Sequence, residues 1–520
     1  MFSRKYKSVR EWTHEKRNRF TELACKDPMF PTPGPGKRLD ADGVPEVNYA
    51  VIGAGITGCS VAHTMLRHEF FQNDTIMVLE ASDRTGGAAG ISHAQVAPAT
   101  AIDWGELVRR VGVRSANQAV VFSHRNLARL GELCAGLSAE DRKKVQFRRV
   151  KMVTNFANRE PKNLYRRWDP AFRRMFTHLG NRFTEKDAGA AGTEYRFRIK
   201  STSGAVEGPG ATLNVGELVN ALFNEMLREH DGRISVRTNT AVRKIKYRTD
   251  NPSLPWLLHT NCGLVRASSV IYCCNGRAAH LNHQLLGKLF PVNHPMSVEG
   301  LTPCPPDDSG TYSWRLIQRP TVDYCTGTFK PGQYSVVQDG RSLTYQVSGG
   351  PQTVASLFPM SGEDALQLSK NDHRERLHRL FRQPVERLED WLDLGSSSAD
   401  EPCDGTYRLS TLGLSSRCVG YTADALPLVG VIPVLNNHTR QNRQWVAAGC
   451  NGQGLDKCWL MGEYLVAMIA GEFVDNRLPD CYQITQARLS AMDPQNYLNR
   501  LLQVDTYEDR TPINTYLAPN

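Results

Sequence analysis

Tyr49-Ala50-Val51-Ile52-Gly53-Ala54-Gly55-Ile56-Thr57-Gly58 decides the fold: an apolar strand, a glycine turn, and then the helical run from Cys59 to Phe70. The strand Thr75-Ile76-Met77-Val78-Leu79 follows and ends at Glu80, 22 residues after Gly58. This order is a βαβ unit of dinucleotide-binding type. Gly53 suits a tight turn, Gly55 lets the backbone approach a pyrophosphate, and Gly58 lets the helix pack closely on the strand. The helix N-terminus then faces the phosphates with free N–H groups and needs no lysine. Glu80 is placed to accept the two hydroxyls of an adenosine ribose, with Ala81 beside it.

NAD and FAD share such a unit, so the choice between them rests on the rest of the chain. Gly86-Gly87-Ala88-Ala89-Gly90, just after Glu80, is a second small-residue segment that a dinucleotide can approach closely. Gly449-Cys450-Asn451-Gly452-Gln453-Gly454 is a third, between a strand and a helix, suited to aiming backbone donors at an electron-rich ring. Together the three segments favour a cofactor that spans a domain.

At 520 residues the chain exceeds the size of one hydrophobic core, so two domains, or two interleaved ones, are expected. No run approaches the ~20 apolar residues of a membrane span. The thirteen cysteines are scattered without C-x-x-C spacing, which argues against both a disulfide framework and a metal site, and for a reducing intracellular compartment. Cys273 and Cys274 lie in an apolar strand pattern and read as packing residues. Half of the net charge of +10 belongs to residues 1–20, so the remainder is nearly balanced. No basic stripe of the nucleic-acid-binding kind results. The basic start reads as an N-terminal arm; a mitochondrial targeting segment is the alternative to a cytoplasmic location, though Glu11 and Glu15 speak against it.

Elsewhere, Leu218, Leu222 and Met226 recur at helical spacing after Gly-Pro-Gly at 208–210, which reads as a turn leading into an amphipathic helix. A charged helix is expected near 373–392 and a short strand at Ser342-Leu343-Thr344-Tyr345-Gln346-Val347-Ser348.

In four segments the chain resembles the D-amino-acid oxidase, glycine oxidase and sarcosine oxidase superfamily of FAD-dependent oxidoreductases. They are YAVIGAGITG with the acid in VLEAS; GGAAG; TNTAVRKIK with SSVIYCCNG; and GYTADALPLVG with AAGCNGQGLDK, in family order across roughly 47–475. The resemblance implies an α/β fold with a Rossmann-like FAD domain and an interleaved mixed-sheet substrate domain. Residues 47–130, 205–280 and 415–475 are expected in the first, 131–204 and 281–414 in the second, with 1–46 an arm and linker and 476–520 a tail. It implies that backbone at Val242 meets the adenine, that Asn275 and Gly276 lie beside the cofactor, and that Gly452, Gln453 and Gly454 approach the flavin ring, with Gly449 and Asn451 in the same loop.

Departures concern the substrate. Ile91-Ser92-His93-Ala94 stands where many relatives have Arg-Asn-Gly-Gly, and Val419 stands where amino-acid oxidising members place an arginine five residues before the aspartate matching Asp424. Arg417 shares the strand face of that position and is a candidate carboxylate clamp. His93 is the other catalytic candidate. Members with covalent FAD carry a cysteine seven residues before that aspartate; Cys418 is six before it, on the alternate face, so noncovalent FAD is expected. The implied reaction is oxidation of a carbon–nitrogen bond in a small-molecule amine or amino acid, with O2 or another acceptor taking the electrons. Two other readings stand beside it: oxidation of a larger amine metabolite, and a non-catalytic flavin-binding scaffold.

Overall fold

The computed structural model describes residues 43–83, 93–195, 202–302, 408–433, 443–474, 477–492 and 511–517, with short strands between 312 and 353 and the single positions 39, 85 and 90. The expected helix near 373–392, nearly all of the basic arm, and residues 87–89 lie outside the described residues.

The chain enters at β1 (Glu46–Ile52), turns through glycines into α1 (Ile56–Arg67) and returns as β2 (Ile76–Leu79). There follow β3 (His93–Val96), α2 (Ala101–Gly136), β4 (Arg148–Phe156), α3 (Arg159–Met175), β5 (Thr184–Lys186), β6 (Ala205–Asn214), α4 (Val215–Glu229) and β7 (Ile234–Arg237). Next come β8 (Val242–Tyr247), β9 (Trp256–Thr260), β10 (Gly263–Tyr272), β11 (Leu289–Thr302), β12 (Tyr312–Ile317), β13 (Thr321–Asp323), β14 (Thr328–Lys330), β15 (Gln333–Gln338), β16 (Thr344–Ser348) and β17 (Gln352–Thr353). The last elements needed here are β18 (Arg408–Thr422), β19 (Leu428–Val431), β20 (Gln444–Ala448) and α5 (Cys458–Ile469).

The first sheet has the order β19-β20-β10-β1-β2-β7. Its five inner strands are parallel, β19 caps one edge antiparallel, and the β8–β9 hairpin joins the N-terminal half of β10. Parallel strands are covered on both faces, which is why β2 and the carboxyl ends of β1 (Ala50-Val51-Ile52) and β10 (Val270-Ile271-Tyr272) read as apolar runs. Side chains alternate accordingly: Val51 joins the core under α1, α4 and α5, whereas Ala50 and Ile52 join a second core with Met77, Tyr272 and Val446. Helices α1 and α5 pack through Ser60, whose hydroxyl donates to the Trp459 carbonyl at 2.6 Å. Gly462 leaves the room this needs, because a Cβ there would stand 2.5 Å from Ser60 Oγ.

The second sheet has the order β18-β11-β16-β15-β12-β4-β6-β3, with β5 on β6. It is mixed, antiparallel apart from the β12–β4 pair. Helices α2 and α3 bury an aromatic seam, Trp104 edge-on to Trp168 at 5.7 Å with Phe172 alongside. Sheet membership cuts across the sequence segments: β3 and β6 fall in the second sheet, although 47–130 and 205–280 were assigned to the FAD unit.

Residues 208–210 correct the expected turn, for β6 runs straight through them. The glycines there make room rather than bend the chain: a Cβ on Gly208 would meet the Phe183 ring at 2.4 Å, and one on Gly210 the Met152 side chain at 2.7 Å. The helix after them is as expected, with Leu218, Leu222 and Met226 buried on α4. Beyond α5, Ile484 N–H donates to the Val429 carbonyl (2.9 Å), and Arg488 holds Asp424 with two contacts (2.8 and 3.3 Å), so residues 477–492 close over the edge of the first sheet.

Two buried histidines set an acid limit. Burial, with Arg67, Arg129 and His230 adding to it, depresses His63 to about 3; burial likewise depresses His124 to about 4, against the opposing hydrogen bond to the Ala99 carbonyl. Below the ordinary histidine value the unfolded chain takes up protons that the folded chain refuses. Stability is therefore full above pH ~6.5 and falls as pH drops, by up to about 1.4 kcal/mol per pH unit for each histidine. Urea midpoints measured from pH 7.5 to 5 should decline, with a shallower decline for His63→Gln; an identical slope in that variant would remove His63 as a cause.

Candidate functional site

The carboxyl ends of β1, β2, β7, β10 and β20 open on one side of the first sheet. The chain leaves β1 toward β2 on one flank, while β10, which follows much later, lies on the other. In open parallel sheets the crevice at such a reversal is where ligands bind.

At that point Gly53 has φ +108° and donates its N–H to the Leu79 carbonyl at 2.8 Å. A Cβ there would sit 2.8 Å from the Cys273 carbonyl, so the ends of β1 and β10 converge more closely than a side chain permits. Gly58 is equally constrained, since its Cβ would meet the Gly53 carbonyl at 2.0 Å. Gly55 caps α1, and no acidic side chain occupies the first helical turn, so its N–H groups keep their partial positive charge for an anion.

Glu80 follows β2 with 9% exposure. One carboxylate oxygen accepts from Ala54 N–H and the other from Ser82 N–H, each at 2.9 Å. Each oxygen keeps a further lone pair for a diol. The turn from β7 to β8 is bonded to this corner, with Asn239 N–H on the Ser82 carbonyl and Thr240 N–H on the Glu80 carbonyl, both 2.7 Å. Val242, half-buried, opens β8 just beyond, and Ala81 is exposed beside Glu80. Of the second glycine segment, Gly90 is described, its carbonyl 2.6 Å from where a Cβ of Gly216 would stand.

The 449–454 loop joins β20 to α5. Gly449, Asn451 and Gly452 have φ of 79°, 53° and 83°, which curls the loop so that Gly452 and Gln453 crest it, exposed. Asn451 Oδ1 accepts from Thr422 N–H (2.9 Å) while its Nδ2 donates to the Gly449 carbonyl (2.6 Å). Asn275, also left-handed at φ 51°, accepts from Gly449 N–H (2.9 Å). A Cβ on Gly420 would stand 2.2 Å from Asn275 Oδ1, and one on Gly276 would stand 2.7 Å from Pro291 Cα. The two asparagines thus spend their side chains tying the end of β10, the loop and β18 together, and leave backbone as the exposed surface.

Behind the loop lies a set of partners that sequence reading did not find. Asn126, fully buried in the middle of α2, donates to the Leu455 carbonyl (2.8 Å) and accepts from Leu460 N–H (3.0 Å), an otherwise unpaired donor at the start of α5. Lys457 donates to the Gln453 carbonyl and to Asp456, each at 2.5 Å. Burial raises the Asp456 carboxyl despite Lys457. Burial acts the same way on Asp103, but the two hydrogen bonds and charge of Arg315 (2.7 and 2.5 Å) outweigh it and hold that carboxyl below its ordinary range. Asp103 also accepts from the Thr100 N–H and hydroxyl at the start of α2, which breaks at Gly112 (φ 76°) into two helical segments, Asn126 lying in the second.

The two catalytic candidates are placed by backbone only. His93 begins β3, opposite Asn214, at the edge of the second sheet. Arg417 sits opposite His294 in the β11–β18 pair, two residues from Val419, with no irregularity between them; Cys418, opposite Asn293, takes the alternate register position. Among the described residues no cluster of three or more His, Cys, Asp or Glu converges as a metal site would, and no helix is long and apolar enough to cross a membrane.

A glycine-walled crevice at the strand ends, with a carboxylate at one end and a left-handed loop at the other, defines a dinucleotide-dependent α/β flavoprotein. The chain belongs to the FAD dependent oxidoreductase family (DAO), whose family model matches residues 48–468. Among curated proteins, none matches the chain in sequence. Similar solved structures include glycine oxidase from Geobacillus kaustophilus (16% identity, 84% of this chain and 99% of that one, TM-score 0.52) and iminodiacetate oxidase from Chelativorans sp. BNC1 (14%, 83% and 99%, 0.53). L-proline dehydrogenase from P. horikoshii is similar to the same degree (14%, 88% and 99%, 0.52). At these identities the likeness is one of fold.

Asn126→Ala leaves a buried carbonyl and a buried N–H without their partner. Each such group costs about 1–3 kcal/mol. Urea unfolding should show a loss of roughly 2–4 kcal/mol with an unchanged denaturant slope; a loss under 0.5 kcal/mol would mean that water or a neighbour replaces the amide.

Proposed function

We propose that this enzyme oxidises a carbon–nitrogen bond of an amine or amino-acid-like small molecule and passes the electrons to O2, forming hydrogen peroxide. FAD, when bound, supplies the hydride acceptor. Observations of this chain fit that group: the side-chain-free wall formed by Gly53 and Gly58 and the carboxylate of Glu80, half-satisfied by backbone donors, suit a pyrophosphate and a ribose.

In this reading residues 53–58, Glu80, Ala81, residues 87–90, Val242, Asn275, Gly276, Gly449 and residues 451–454 hold the cofactor noncovalently, and Cys418 makes no bond to it. One observation carries the assignment of the reacting end: Gly420 of β18 and Pro291 of β11 abut the Asn275–Gly276 corner without room for a Cβ. In this reading the second sheet, packed on that corner, borders the crevice in which a carbon–hydrogen bond is held near the 452–454 crest. Relatives of this fold are named for oxidising glycine, iminodiacetate and proline, which supports a compact amine. Arg417 is the proposed clamp if the substrate bears a carboxylate, and His93 the proposed polar neighbour at the sheet edge. Val419, standing where an arginine is expected, favours a second reading in which the substrate is a larger amine without that carboxylate. Free thiols at the eight cysteines whose side chains are described support an intracellular setting.

Glu80→Gln places an amide donor where backbone N–H groups already donate. Flavin binding by the apoprotein, followed by fluorescence quenching, should weaken about tenfold to a hundredfold, the cost of charge-assisted bonds at about 1.5–3 kcal/mol. An unchanged affinity would move the ribose elsewhere.

Anaerobic mixing with glycine, sarcosine, proline, iminodiacetate and larger secondary amines should bleach the visible flavin absorption for one class. Readmitting air should restore the colour with release of peroxide. Colour lost to an amine but not restored by air would make the enzyme a dehydrogenase, and colour that no amine removes would favour a flavin-binding scaffold.

A further inference from the structure

Two thiols bracket the 449–454 loop. Cys450 follows its first glycine and Cys458 opens α5, and their sulfurs lie 3.5 Å apart. Both residues are buried and neither is in a disulfide. The approach depends on the loop sequence, because a Cβ on Gly454 would stand 2.8 Å from Cys458 Sγ. Cys458 also shares a hydrogen bond with Thr57, in the glycine turn that begins α1. One sulfur thus touches both halves of the crevice.

We propose that Cys450 and Cys458 are an oxidisable dithiol, a modification site at which hydrogen peroxide reversibly staples the two ends of the loop. Cys458 opens α5 with no acidic side chain in the first turn and hydrogen-bonds Thr57, so the helix N-terminus favours its thiolate and makes Cys458 the attacking sulfur. Its thiolate attacks one peroxide oxygen; the O–O bond breaks, water leaves, and a sulfenic acid remains. Cys450 then attacks that sulfur, the S–O bond breaks and a second water leaves. Two thiols and one peroxide become one disulfide and two waters. The sulfurs close from 3.5 Å to the ~2.05 Å of a bonded pair, which draws Cys458 off Thr57 and tightens the loop. In a reducing compartment such a bond is transient and is undone by thiol exchange. The effect on the flavin rests on the proposed contact between the 452–454 crest and the ring; formation of the bond does not.

The test uses the full-length, FAD-loaded protein exposed to added hydrogen peroxide, blocked with an alkylating agent and mapped by mass spectrometry without reduction. The expected product joins the Cys450 and Cys458 peptides, is short by two hydrogens, disappears with dithiothreitol, and is absent from Cys450→Ser and from Cys458→Ser. Full alkylation of both residues after peroxide would overturn the proposal, as would a Cys458 cross-link to Cys273 instead. The visible flavin spectrum, recorded on the same samples, should shift with the cross-link and return on reduction. A cross-link without any spectral change would uphold the dithiol and refute the loop's contact with the ring. Because the mapping is done on the unsubstituted protein, a variant that fails to fold leaves the result intact.

Discussion

The structure turns on amide side chains that replace missing backbone partners around one loop. Between β20 and α5 the chain runs through three residues of positive φ, and internal bonds such as Gln453 N–H to the Cys450 carbonyl leave other N–H and carbonyl groups to outside partners. Asn275 takes Gly449 N–H, Asn451 takes Thr422 N–H and the Gly449 carbonyl, and Asn126 takes the Leu455 carbonyl and Leu460 N–H. Apart from the Asn451–Gly449 bond, which lies within the loop, these bonds tie it to the Asn275 turn after β10, to β18 and to α2. Its exposed crest is consequently backbone on a rigid support, the condition for a site that must be placed to a fraction of an ångström.

Charge reinforces the same support. The partly exposed Asp103 with the buried Arg315, and the buried pair Asp456 and Lys457, put two carboxylates and two cations largely out of water. Removing water from four charges is costly, and removing any one of them leaves a buried partner uncompensated. The arrangement therefore tolerates loss poorly, and it links β12, the start of α2 and the loop as one electrostatic unit.

The first sheet and the Gly53–Glu80 corner are legible in the sequence because their determinants are local. An apolar run, three glycines and an acid at fixed spacing lie within about thirty residues, and the structure assembles them in that order. Leu218, Leu222 and Met226 were readable for the same reason. The glycines at 208 and 210 misled because a glycine that makes room for Phe183 or Met152 looks, in sequence, like one that makes a turn. Asn126 and Arg315 gave no signal at all. Their partners lie 329 to 334 residues away for Asn126 and 212 for Arg315, and nothing near them in the chain marks a mid-helix asparagine or a strand arginine as half of a pair.

The order of strands in the first sheet has a bearing on biosynthesis. β1, β2 and β7 leave the ribosome early, β10 follows, and β20 with α5 comes only near the end, after the whole second sheet has been made. Until then the nascent chain carries an unpaired parallel edge along β10 and an uncovered face on α1, where Ser60 and His63 await Trp459. Non-local strand pairings of this kind fold slowly and expose apolar surface meanwhile. A message truncated before codon 444 thus encodes a protein with its Gly53–Glu80 corner but without β20 and α5, which pack beside it.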